Sequence, residues 1–322
     1  MKQYIIRRLL LSVVILFGVS IIIYALVRSM PGDFVESMTA GNPKVTPEMI
    51  TRLKRLYGLN VGIIEGYFKW VVQAIQGNFG DSFVYQKPVT EVISSKMWVS
   101  FSLAATAFFF ELMIAIPLGI VSATKQYSKL DYAVTTFALA GISLPSFFFA
   151  AVLQRVFAIE LKIFPLSGMV NARMDYEGFK LILDMAHHFT LPILVFVVTG
   201  IGGLMRYSRT NMLEVLNADY IRTARAKGLS EHKVIYRHAF RNTLIPIVTM
   251  VGGSLPGLFS GAIITEGIFA IDGLGRTAFQ ALNMGDIPFI MGFNMFLAVL
   301  TLAGTLLSDI LYAVVDPRIR LS

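Results

Sequence analysis

The chain has 322 residues, of which 55% are hydrophobic and 15% charged, a balance that a water-soluble core of this size does not need. Its formal net charge of +8 sits in short clusters between apolar runs, the pattern of membrane loops rather than of a nucleic-acid surface. It has no cysteine, which excludes a disulfide framework, thiolate metal sites and a cysteine nucleophile.

In chain order, residues 1–8 form a charged N-terminus with Lys2, Arg7 and Arg8, followed by an apolar run over 9–28. From Leu9 to Val27 that run is about 19 residues, too long for the core of a signal peptide. No small-residue cleavage site precedes Arg28-Ser-Met-Pro31, so an uncleaved first span is predicted. Residues 29–97 read as an external subdomain of short helices. Thr46 as N-cap, Pro47 at the first helical position, Ile50, Leu53 and Tyr57 on one stripe and Gly58 as terminator predict one of them. A second is predicted over Tyr67 to Ile75, with Tyr67, Phe68 and Trp70 suited to the headgroup level. The segment is either a cap over the bundle or a contact for an external binding protein.

Further runs of the roughly 20 residues that a bilayer requires lie at 98–123, 132–159, 190–207, 243–270 and 287–315. With the first span this predicts an all-α membrane protein of six transmembrane helices: the first span, then a five-helix core over 98–315. Phe108–Gly119 and Ile193–Gly203 are apolar on all faces, and Pro117, Pro145, Pro192 and Pro256 predict kinks rather than helix ends. Lys and Arg crowd alternate loops: Lys2, Arg7 and Arg8, then Lys125 and Lys129, then a cluster from Arg206 to Arg241, and Arg318 and Arg320 in the tail at 316–322. Basic and acidic residues in 29–97 are nearly balanced, so the positive-inside rule places both termini in the cytoplasm.

The cytoplasmic loop 206–242 is patterned as two helices around a glycine. Leu213, Leu216, Tyr220 and Ala224 recur at three-to-four spacing from Asn211, and Gly228 closes that helix. Ser230 caps a second, on which Lys233, Arg237 and Arg241 are spaced by four and share a face, with Val234, Ile235 and His238 around the side. Such a stripe fits anionic headgroups, worth about 1 kcal/mol per basic residue near the surface. It also fits a rigid protein receptor, which would account for the ordering entropy of a helix-glycine-helix unit.

The segment Asp219-Tyr-Ile-Arg-Thr-Ala-Arg-Ala-Lys-Gly-Leu229, with His238, Asn242 and Pro246 beyond it, resembles the cytoplasmic loop of dipeptide and oligopeptide ABC importer permeases. The likeness extends along the chain through Pro31-Gly-Asp33, Gly80, Pro88-Val89, Ser143-Leu-Pro145, Leu166-Ser-Gly168, Gly273-Leu-Gly275 and Asp316-Pro-Arg-Ile-Arg320. The wider importer consensus, Glu-Ala-Ala with a glycine four residues on, is kept only at Ala224 when Gly228 is aligned on the glycine. Both that departure and the longer stretch from Gly228 to Pro246 match the peptide branch.

The resemblance implies a type I importer fold and a non-catalytic subunit. Its loop would seat a coupling helix in an ATPase through Asp219, Arg222, Thr223, Ala224, Arg225, Ala226, Lys227, Gly228, Leu229, Lys233, Arg237, His238 and Arg241. It further implies a second, homologous permease subunit, two ATP-binding subunits carrying the ATP and magnesium, an external solute-binding lipoprotein, a peptide substrate and a bacterial plasma membrane. Nickel and glutathione importers share this scaffold and stand as alternatives. Ser143, Pro145 and Glu266 are assigned to the translocation path or gate.

The chain has no Gly-x-x-x-x-Gly-Lys-Ser/Thr phosphate loop and no His-Glu-x-x-His, so it neither hydrolyses ATP by that route nor shows zinc-protease spacing. An autonomous secondary transporter fits less well, for want of internal repeats and paired mid-membrane charges. An intramembrane hydrolase would need a nucleophile or metal set that does not assemble. Glu111 and Glu266 lie within apolar runs, where carboxylates are functional suspects. Glu111 is expected to be a buried, hydrogen-bonded tie between helices. Glu266, in Gly261-Ala-Ile-Ile-Thr-Glu-Gly267, is either at a gate or interface or paired with a base at the outer boundary. Asp309 and Tyr312 are expected to fix the last helix end, Arg155 to snorkel, His187 and His188 to lie in an exposed loop, and Asp33, Asp81 and Asp286 to serve turns.

Overall fold

A computed structural model describes residues 2–315; Arg318, Arg320 and the Asp316–Arg320 motif lie outside the described residues. The fold is built from helices. Among the described residues four are long and apolar enough to cross a membrane: α1 (Lys2–Arg28), α5 (Val89–Thr124), α8 (Gly178–Leu216) and α14 (Ile287–Val315). Two bent pairs raise the number of candidate spans to as many as six. One is α6 (Lys129–Ser143) with α7 (Ser146–Glu160), bent by 99°; the other is α10 (Glu231–Gly253) followed, at 44°, by α11 (Leu255–Phe259) and α12 (Ile263–Ile268).

The helices outrun the apolar windows that announce them. α5 starts at Val89 rather than 98, because Val89, Val92 and Ile93 are buried against Leu274, Phe289 and Met291, and this packing continues the helix past its lipid-facing stretch. α8 runs from 178 to 216 where a span over 190–207 is predicted. Its 39 residues extend about 58 Å, against a hydrocarbon core of ~30 Å. His187 and His188 therefore lie on a helix, not in a loop. His187 is exposed with Nε2 2.9 Å from the Ile163 carbonyl, and His188 is buried with Nδ1 2.9 Å from the Asp184 carbonyl.

The prolines divide. Pro117 and Pro192 sit inside α5 and α8, as kink positions should, whereas Pro145 ends a helix. Leu144 before it is extended at ψ 124°, since the proline ring disfavours helical backbone in the preceding residue. Pro256 stands in the first turn of α11, where its missing N–H costs nothing.

α5 and α6 close on α8 through glycines. A Cβ at Gly119 would fall 2.7 Å from the Met205 carbonyl oxygen, and one at Gly202 2.2 Å from that of Ala138, so only a bare backbone permits this approach. Across this contact Asp131 of α6, 4% exposed, accepts from the Ser122 hydroxyl of α5 and receives two bonds from the Arg209 guanidinium of α8, Nε 3.1 Å and Nη2 3.0 Å.

At the other end, α3 (Pro47–Leu56) carries the cap read from sequence, Thr46 accepting from Met49 N at 3.3 Å, while Asp33, expected to serve a turn, caps α2 (Phe34–Thr39) by accepting from Glu36 N at 3.0 Å. Gly58 ends α3 at φ +66°. Lys54 joins Asp33 and Glu36 at 2.7 and 2.6 Å, and these hydrogen bonds raise its pKa above the ordinary lysine value. α4 (Ile63–Ile75) begins before the predicted Tyr67 and packs beside α1. Asp286, fully buried, accepts from the Ser82 hydroxyl at 2.6 Å, Val84 N at 3.0 Å and Phe289 N at 3.2 Å, fixing the 81–88 turn to the start of α14. α1 and α14 are also joined at their opposite ends, where Asp309 accepts from Tyr4 Oη at 2.7 Å and Arg8 Nη2 at 2.8 Å. Asp309 thus fastens the first helix to the last, rather than only fixing its own helix end.

Candidate functional site

The loop after α8 is a compact helix-turn-helix. α8 continues to Leu216, so Leu213 and Leu216 belong to the long helix and not to a separate one beginning at Asn211. A break at Asn217 and Ala218 precedes α9 (Asp219–Ala226), which buries Ile221 and Ala224 and leaves Tyr220 47% exposed. Ile221, Ala224, Val234 and Ala239 of the loop close over Ile120 and Ala123 of α5 and Met212 of α8, with Leu229 and Ile235 at the edge. The loop is seated on the ends of two long helices by an apolar core of its own.

The turn is a paired-bond helix stop. Gly228 N donates to Arg225 O at 2.9 Å and Leu229 N to Ala224 O at 3.4 Å, while Leu229 packs in the same cluster as Ala224. Gly228 has φ +74° with open space around its Cα, so the backbone conformation and not a close contact demands glycine. Ser230 stands at the N-cap position of α10 without a side-chain cap bond; the start is held instead by Arg225, whose Nη2 and Nε reach Glu231 Oε1 and Oε2 at 2.7 and 3.2 Å. Residues Val234–Ala239 wind wider than an α-helix, with i→i+5 bonding, before α10 tightens from Phe240.

Most of the expected docking residues are exposed. Asp219, Arg222, Thr223, Arg225, Ala226, Lys227, Gly228, Lys233, Arg237 and Arg241 are exposed, His238 and Leu229 half-buried, and Ala224 faces the core. Arg222 has Asp219 at 3.4 Å and Arg225 has Glu231. Lys227, Lys233, Arg237 and Arg241 have no ion-pair partner among the described residues. The result is a rigid cationic surface with unneutralised charge.

Ser143 and Pro145 are apart from that surface, exposed at the α6–α7 break beside exposed Phe147 and Phe148, with the Ser143 hydroxyl donating to Leu139 O at 2.8 Å. Glu266 is fully buried. Its Oε1 accepts from Ser100 Oγ at 2.7 Å and Ala262 N at 3.1 Å, and Oε2 from Arg276 N at 2.9 Å. Its partners are a hydroxyl and two amides rather than a base. Glu111 is half-buried against Gly200, where a Cβ would lie 2.7 Å from its Cδ; among the described residues its carboxylate has no hydrogen-bond partner, contrary to the expected tie. Arg155 pairs with Glu160 at 3.0 Å. Among the described residues no three His, Asp or Glu side chains gather as a metal site.

Sequence reasoning passed over Asp131 and its role beneath the loop. Arg209 lies two turns before the end of α8, so its pair with Asp131 anchors the helix end that carries the loop. Asp131→Asn is expected to destabilise the chain by about 2 kcal/mol, below the 3–5 of a fully buried pair because the Arg209 side chain is 24% exposed. The effect should appear as faster proteolysis within 206–242 in detergent, and an unchanged cleavage rate would show the pair to be dispensable.

The sequence matches the profile of the binding-protein-dependent transport system inner membrane component over residues 115–321, and the matching N-terminal membrane-component profile over residues 1–104. It is similar to the oligopeptide transport system permease protein AppB of Bacillus subtilis (strain 168), at 39% identity over 99% of this chain and 100% of the relative. It is also similar to the di/tripeptide transport system permease protein DppB of Pseudomonas aeruginosa, at 35% identity, and to the dipeptide transport system permease protein DppB of Escherichia coli (strain K12), at 34%, each over 99% of both chains. Among solved structures, an inward-facing form of the MetNI methionine ABC transporter matches with TM-score 0.52 and 14% identity, over 70% of this chain and 97% of that chain. That likeness bears on the fold.

Proposed function

The chain belongs to the family of binding-protein-dependent transport system inner membrane components, and from that premise we propose how it works as the permease subunit of an ATP-driven peptide importer. The relatives named for oligopeptides, dipeptides and di/tripeptides match over their whole lengths, and this supports peptides as the cargo rather than nickel or glutathione. In this reading the chain crosses a bacterial plasma membrane six times, each bent pair counting once, with both termini in the cytoplasm as the positive-inside rule requires.

A single observation carries the coupling assignment: the basic surface of α9 and α10 is fixed to α8, a helix long enough to traverse the bilayer and project beyond it. A partner that displaces the loop therefore displaces the spans, because packed helices move as rigid bodies before they deform. The partner is a separate ATP-binding subunit holding the ATP and magnesium, one of two, with carboxylates facing Lys227, Lys233, Arg237 and Arg241. A second, homologous permease completes the path, and an external solute-binding protein delivers peptide to residues 29–97. Ser143 and Pro145 stand as candidates for the path or gate, whereas the buried hydrogen bonds of Glu266 favour a structural role.

The test is purification and reconstitution. The chain should co-purify with an ATPase, and proteoliposomes containing the complex and a binding protein should accumulate labelled peptide only with ATP. ATP-independent uptake by the chain alone would overturn the reading.

A further inference from the structure

α4 does not behave as part of a water-exposed cap. Tyr67 at its centre places Oη 2.9 Å from Ser20 Oγ and stacks edge-on to Tyr24 at 5.5 Å, both residues of α1. Ser20 precedes Arg28, the last residue of α1, by a distance of about 12 Å along the helix at 1.5 Å per residue. Since the apolar run ends at Arg28, Tyr67 sits well below the boundary that Arg28 marks. The opposite side of α4 exposes Ile64 (76%), Phe68 (59%), Val72 (56%) and Ile75 (82%), an unbroken apolar stripe at helical spacing. A third side carries the exposed Glu65–Lys69 pair at 2.6 Å. One face on a transmembrane helix, one apolar face uncovered and one ion pair describe a helix immersed at the edge of a bilayer.

Beside it lies a cavity of about 760 Å³, whose walls run from Tyr24, within α1, to Arg28, Trp70 and the Leu59–Val61 turn. Its polar groups are incompletely used. Arg28 Nη2 donates to Val61 O at 2.6 Å and Leu59 O at 3.3 Å, which holds the guanidinium in place, but Nε has no acceptor. Trp70 Nε1 has none either, and the Tyr24 hydroxyl has no hydrogen bond among the described residues. Arg28 has no carboxylate within ion-pair distance among the described residues, although Asp81 also lines the cavity. A fixed cation and unpaired donors call for an anionic acceptor.

We propose that this cavity holds a membrane phospholipid, its phosphate taken by Arg28, Trp70 and Tyr24 and an acyl chain directed down along α1 past Tyr24. Depth selects a lipid over a soluble ligand or a protein loop: the cavity reaches from the boundary down to Tyr24, a level that acyl chains occupy. Aromatic N–H and O–H groups beside a basic residue are also what an interfacial belt presents to headgroups. The proposal needs only that the chain spans a membrane, and its test depends neither on ATP nor on transport.

The chain's lack of cysteine makes a single introduced thiol unique within it, so this chain can be labelled alone before assembly. A nitroxide on Val72→Cys, in the assembled transporter in nanodiscs, should collide readily with oxygen and poorly with a water-soluble nickel chelate, the reverse of a label on Leu56→Cys of α3. Native mass spectrometry of the detergent-purified complex should retain phospholipid, and the double variant Arg28→Gln, Trp70→Phe should retain about tenfold less, equivalent to ~1.4 kcal/mol. Millimolar inorganic phosphate and dipeptide should not displace it. Nickel access at residue 72 equal to that at 56 would overturn the proposal, as would equal lipid retention in the variant or displacement by free phosphate or peptide.

Discussion

Reversing the charges of Lys233, Arg237 and Arg241 together is expected to abolish ATP-driven uptake while the chain still inserts at wild-type levels. All three side chains are exposed and unpaired among the described residues, so the folded loop does not rely on them. Its stability comes from Ile221, Ala224, Val234 and Ala239 packed on Ile120 and Met212, which the substitutions leave untouched. What changes is the surface offered to the ATPase. If the proposed ATPase presents carboxylates to this stripe, placing three anions against them should weaken docking by at least about thirtyfold, the lower range for disrupting close interfacial charge pairs. Gly228→Pro should give the same phenotype by another route. Proline cannot adopt φ +74°, and it removes the N–H that bonds Arg225 O, so α9 and α10 lose their fixed angle. Gly228→Ala is the graded control, with a backbone cost of about 1 kcal/mol for a left-handed residue and a partial loss of uptake. The measurement is labelled-peptide uptake and ATP hydrolysis in proteoliposomes. If uptake survives charge reversal and depends instead on the anionic lipid content of the vesicle, the stripe is a headgroup contact and the coupling assignment fails.

The parts of this fold that were legible in sequence are those decided within one turn of backbone. Thr46, Pro47 and Gly58 set the ends of α3, and Gly228 the end of α9, because capping bonds join residues three to five apart. Helix lengths were not legible. Hydropathy registers where a helix meets lipid, and α5 and α8 continue beyond it by burying residues such as Val92 and Met212 against distant segments. That is why Leu213 looked like the start of a new helix and His188 like a loop residue. Asp131 and Arg209 are separated by 78 positions and meet only because Gly119, Gly141 and Gly202 let the helices close, so no local pattern announces their pair. The exposure of Lys233, Arg237 and Arg241 was readable, since they recur every four residues while Val234 and Ala239 between them are buried. The carboxylate of Glu266 was seen as anomalous, but it was read as a gate, an interface or a base-paired group rather than as a buried acceptor for backbone amides.

Gly261 and Gly273 make room for this carboxylate, and this leads to a sharp expectation for Glu266→Ala. A Cβ at Gly273 would fall 2.7 Å from Glu266 Oε1 and one at Gly261 3.1 Å from it, so two bare backbone positions border the side chain. Its oxygens take up amides that helix ends leave unpaired: Ala262 N before α12 and Arg276 N in the first turn of α13 (Leu274–Met284). Ser100 of α5 donates to the same carboxylate and accepts from Leu274 N at 2.8 Å, which ties both short helices to a long one. Alanine would strand three donors in a site with no exposure to water and leave a void, a loss of about 4 kcal/mol. Glutamine keeps the volume but turns one acceptor into a donor facing an N–H or a hydroxyl, a loss of about 2 kcal/mol. Thermal unfolding of the purified transporter in nanodiscs should therefore fall for both variants, further for alanine. Peptide uptake per correctly folded complex should change little. The opposite outcome, an unchanged melting temperature with uptake lost in Glu266→Gln, would mean that the carboxylate leaves these amides during the transport cycle, and would return Glu266 to the gate.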